Sequence, residues 1–92
     1  MSKGSYRLTQ EEMGRRFDEL LAIPHGAKTD TFKSVAQKWA ERERTGKPLT
    51  VGMMRLYYSK ITRLHKRGVN LHEKAKVYTW SQIIWPPKSI VF

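Results

Sequence analysis

The sequence predicts a small, mostly α-helical domain of three to four helices with a short C-terminal extension. Three segments repeat apolar residues at helical spacing. A cap-type residue precedes each of them, and proline or glycine follows. The chain of 92 residues bounds a single domain, and its three Trp, four Tyr and three Phe provide the large rings that a compact core needs.

Residues 1–8 read as a flexible basic arm, in which Lys3 and Arg7 are candidate phosphate or minor-groove contacts. The first helix spans Thr9–Ile23. Thr9 and Glu12 have capping-box spacing, Glu11 adds negative charge to the first turn, and Leu8 is placed to staple onto Met13. Met13, Phe17, Leu20 and Leu21 form its apolar face, whereas Asp18 and Glu19 are read as outward. Pro24 ends the pattern, and His25-Gly26 makes a turn.

The second helix follows after Thr29 or Asp30 as cap and runs to Arg44. Phe32, Val35, Ala36 and Trp39 share one side. Thr45-Gly46-Lys47-Pro48 is a stop signal. The third helix, Thr50–Arg67, is the strongest periodic element. Met54, Tyr57, Tyr58, Ile61 and Leu64 fall within one arc. Gly68 occupies the position of a left-handed C-terminal residue.

Residues 71–85 fit two readings. Asn70 and Glu73 have capping-box spacing, which favours a short fourth helix over Leu71–Tyr78. The run Ala75–Trp80 is also strand-like. Pro86-Pro87 closes the segment, and residues 86–92 form a tail. The helical domain is thus residues 9–85. Its expected core draws on Met13, Phe17, Leu20, Leu21, Phe32, Val35, Trp39, Met54, Tyr57, Ile61 and Leu64.

Charge divides the chain. The formal net charge is +10, and Glu73 is the single acid of residues 45–92. An ordinary surface mixes signs. Opposite the apolar stripe of the third helix stand Arg55, Ser59, Thr62, Arg63 and Lys66, flanked by Lys60 and Arg67. Arginine reads guanine edges, Ser and Thr reach bases or phosphates, and lysine neutralises phosphate. The arrangement resembles an irregular helix-turn-helix, with the second helix supporting a recognition helix. Its connection is longer than the three or four residues of a tight turn.

Double-stranded DNA is therefore the expected partner, with regulation of transcription or genome maintenance as the role and a homo-oligomer as a route to longer sites. The alternative is a protein-binding module or inhibitor that docks on an acidic partner. Its anchors would be Leu56, Trp80, Trp85, Ile90 and Phe92, rimmed by Lys and Arg.

Other classes lack their chemistry. There is no cysteine, and His25, His65 and His72 have no convincing metal-pair spacing, so no metal or cofactor is expected. No phosphate loop, nucleophile elbow or convergent acid cluster points to an enzyme. No run is long enough to span a bilayer, and no secretory signal opens the chain, so no membrane partner and a cytoplasmic location are expected. Such a small, basic chain suits a phage, plasmid or bacterial regulator.

Overall fold

The computed structural model describes residues 8–92, so Lys3 and Arg7 lie outside the described residues. Five helices follow in order: α1 (Gln10–Leu21), α2 (Thr29–Glu43), α3 (Val51–Lys66), α4 (Leu71–Lys74) and α5 (Trp80–Ile84). The domain is small and mostly helical, and no strand occurs among the described residues.

Each helix starts and stops for a local reason. The Thr9 hydroxyl accepts the Glu12 amide at 3.0 Å, and the Thr50 hydroxyl accepts the Met53 amide at 3.1 Å. Leu8, assigned to the arm from sequence, packs against the core. α1 ends at Leu21, two residues short of the expected Ile23, which is nonetheless buried. α2 departs from expectation at its start. Thr29 and Asp30 lie inside the helix, and Lys28 takes the cap position without a side-chain acceptor.

The ends of α2 and α3 are alike in backbone and unlike in residue. At α3, the Gly68 amide bonds to the His65 carbonyl and the Val69 amide to the Leu64 carbonyl, with Gly68 left-handed at φ 87°. At α2 the same pair of bonds runs from Arg44 to Glu41 and from Thr45 to Ala40, with Arg44 left-handed at φ 58°. A non-glycine residue there costs about 1 kcal/mol.

α3 is the central element, packed on α1, on α2 and on α5. Met54 and Ile61 are fully buried on its inner face, against Phe17 and Leu20 of α1 and Phe32, Ala36 and Trp39 of α2. Leu21, Val35, Tyr57 and Leu64, expected in the core, are half-buried at its margin.

The tail region resolves the ambiguity of residues 71–85. α4 stops at Lys74, a turn carries the chain through Val77, and α5 begins at Trp80. α5 holds a complete capping box. The Thr79 hydroxyl accepts the Gln82 amide at 3.2 Å, while the Gln82 side chain accepts the Thr79 amide at 2.9 Å. This short helix drives Ile83 and Ile84 into the core.

Candidate nucleic-acid interface

The candidate site begins with what the fold removes from the surface. Arg42 of α2 reaches across to α1 and bonds both Glu12 and Glu19. Its contacts run from 2.7 to 3.2 Å. Arg16 is buried, with 5% of its surface exposed, and pairs with Glu12 and Glu43. The Arg16 guanidinium also lies 4.3 Å from the ring centroid of Trp39 and 5.3 Å from that of Trp80.

Glu19 is therefore not the outward acid that helical spacing implies. It accepts the Trp39 indole N–H at 2.8 Å as well as Arg42. Partial burial opposes ionisation of Glu12 and Glu19, but the hydrogen bonds from Arg42, Arg16 and Trp39 outweigh it. Both carboxyls are held below their ordinary range. Those same bonds from Glu19 and Glu12 raise Arg42 above its ordinary value, whereas burial lowers Arg16. Glu12, Glu19 and Glu43 are thus turned onto Arg16 and Arg42, while Glu11, Asp18, Asp30, Glu41 and Glu73 stay exposed away from α3.

The predicted contact residues on α3 divide into two groups. Ser59, Arg63 and Lys66 are exposed and make no side-chain hydrogen bond or ion pair among the described residues. They lie opposite Met54 and Ile61 and form a strip free of acids. Arg55 is also exposed, but its guanidinium sits 4.7 Å from the Phe32 ring centroid and meets the Thr29 hydroxyl at 3.5 Å. The Thr62 hydroxyl is spent internally, donating to the Tyr58 carbonyl at 2.8 Å.

Lys60 and Arg67 mark a separate edge of the same helix, two turns apart. The Lys60 ammonium lies 5.2 Å from the Trp85 ring centroid, and Arg67 donates to the Phe92 carbonyl at 2.8 Å. Residues 85–92 therefore run alongside this edge as a strap. Phe92 also meets Tyr78 edge-on at 5.3 Å and lies 5.6 Å from the Lys74 ammonium. Leu56, one turn before Lys60, is half-buried rather than projecting from the basic strip.

The candidate protein anchors are likewise dispersed. Trp80 is half-buried and packed against the core rather than standing out as an exposed anchor. It stacks on Phe17 at 5.7 Å and meets Trp39 and Tyr57 edge-on at 6.0 and 5.3 Å. The reason is its place at the first turn of α5, which turns its ring toward α1. Trp85 is 50% exposed, and Ile90 and Phe92 are half-buried.

Helical periodicity identifies the outward strip of α3 correctly as geometry. It misses the Arg16–Arg42 network, whose partners are distant in sequence. One signal was available: Glu12, Arg16 and Glu19 recur at helical spacing beside the apolar face of α1.

No known protein family matches the chain, and neither the curated proteins nor the solved structures contain a significant match.

Proposed function

We propose that this domain is a non-enzymatic double-stranded DNA-binding module that uses α3 as its contact helix. The observation that carries the reading is the exposed Ser59, Arg63 and Lys66 strip, which has no acid on it and no internal partner among the described residues. From Arg55 to Lys66 the strip is about 16 Å long, a length suited to lying in a major groove. Arg63 is the base-reading candidate and Lys66 a phosphate neutraliser. Arg55, beside the first turn of α2, belongs at the phosphate backbone, where a supporting helix would cross.

The α2–α3 connection, Arg44–Thr50, makes any helix-turn-helix irregular. A single short helix contacts few base pairs, so long sites require pairing of two copies. The exposed apolar groups Trp85 and Val91, on a chain of net charge +10, favour an acidic protein as the second candidate partner, although with Trp80 packed against the core that reading loses one of its anchors.

Titration against duplex DNA and duplex RNA at two salt concentrations tests the proposal. Lys66→Ala weakens all duplexes alike and lowers the salt slope by about one. Arg63→Ala additionally blurs any sequence preference. Absence of binding to either duplex at low salt refutes it.

A further inference from the structure

We infer that Trp85 is a stacking platform for an unpaired base, so that the DNA preferred by this domain is a duplex with a single-stranded flank. The inference rests on the α3 reading above and names its substrate class.

Trp85 differs from the other two tryptophans. Trp39 is buried at 1% exposure, and Trp80 is packed among Phe17, Trp39 and Tyr57. Trp85 is half exposed although it is the largest kind of apolar side chain. It is also held in place from both sides. Its amide bonds to the Ser81 carbonyl at 2.7 Å, and Pro86-Pro87 stiffens the chain directly after it. With its backbone held, the open indole has only two side-chain torsions to order when a flat partner covers it.

The charge around Trp85 selects the partner. Lys60 lies against its ring, Arg63 stands one turn further along α3, and Lys88 follows three residues later. No Asp or Glu side chain occurs on α3 or on residues 74–92. An aromatic face surrounded by cations suits a base whose phosphates lie on either side, as in single-strand binding sites. An apolar protein anchor would find other apolar groups beside it. Here the group that meets its ring on the α3 edge is the Lys60 ammonium, and Leu56, one turn earlier, is half-buried. The duplex would lie on the Ser59–Lys66 strip, and the strand leaving it would pass over the Lys60–Arg67 edge.

The test compares three labelled DNAs: a blunt duplex, the same duplex with a six-nucleotide overhang, and the overhang strand alone. The overhang duplex is expected to bind about tenfold more tightly than the blunt one, in line with the stacking of one base. Trp85→Ala abolishes that difference and Trp85→Phe retains most of it, while both bind the blunt duplex as the unaltered protein does. Acrylamide quenching, which reports chiefly the exposed Trp85, falls when the overhang duplex is added. Equal affinity for blunt and overhang duplexes overturns the inference but leaves the α3 reading standing. Unchanged quenching at saturation overturns it too. Failure of all three DNAs to bind at low salt overturns both.

Discussion

Replacing Arg42 by alanine gives the sharpest test of the ion network. The side chain is 24% exposed, and its partners Glu12 and Glu19 are 14% and 27% exposed. Removing it strips Glu19 of its cation, held at 2.7 Å in the intact protein, and leaves Glu12 with Arg16 alone. Breaking a fully buried pair costs about 3–5 kcal/mol, because a charge is stranded. The partial exposure here reduces that to about 2–3 kcal/mol. For a domain of this size the melting temperature should fall by roughly 10–20 °C.

The effect has a pH signature. Glu12 and Glu19 ionise more readily in the fold than in the unfolded chain. They stabilise the fold above their ordinary value of 4.5, and that contribution is lost as pH falls through their lower folded values. Arg42→Ala therefore matters most near neutral pH, and the two proteins converge in stability once the pH has fallen below the lowered folded values of both carboxyls. Urea titrations followed by circular dichroism at several pH values measure both quantities. Arg42→Met combined with Glu12→Gln and Glu19→Gln keeps the stem and removes the stranded charges, and it should recover part of the loss. A change of less than about 0.5 kcal/mol for Arg42→Ala at pH 7, or a difference independent of pH, refutes the reasoning.

Two further substitutions probe the backbone. Arg44→Gly should raise stability by about 0.5–1 kcal/mol, because glycine accepts the left-handed φ of 58° at no steric cost; a lower denaturation midpoint refutes it. Gly14→Ala adds helix propensity, but its Cβ would meet the His72 ring at 3.1 Å, where that ring also contacts Asp18 at 3.1 Å. Because His72 is exposed, its ring swings outward, and the net gain is below about 1 kcal/mol. In a His72→Ala background the gain should be larger; an equal gain in both backgrounds refutes the contact.

The three long helices were legible because period, cap and stop agreed. Thr50, the Met54–Ile61 face and Gly68 each fell where local rules place them. Of the last two helices only the start of α4 was legible, from the Asn70–Glu73 cap, since α4 and α5 are too short to show a period. Residues 75–80 offered strand-like composition to a segment that tertiary packing turned into a bend. The capping box Thr79–Gln82 was the overlooked local signal. Among the site residues, exposure of Arg63 and Lys66 followed from helical phase. The strap over Lys60 and Arg67 did not, because nothing within the tail's own sequence says which surface it will lie along. The same holds for the pairing of Arg42 with Glu19.

The placement of Ile83 and Ile84 has a consequence for biosynthesis. The inner surfaces of α1, α2 and α3 are completed by residues that leave the ribosome last among the helices. At usual synthesis rates, the stretch from Lys66 to Ile84 takes about one to four seconds to add. Throughout that interval Phe17 lacks the His72 and Trp80 rings that cover it in the finished fold. The nascent chain therefore passes through a short period of exposed apolar surface, in which its abundant positive charge, rather than its packing, keeps copies apart.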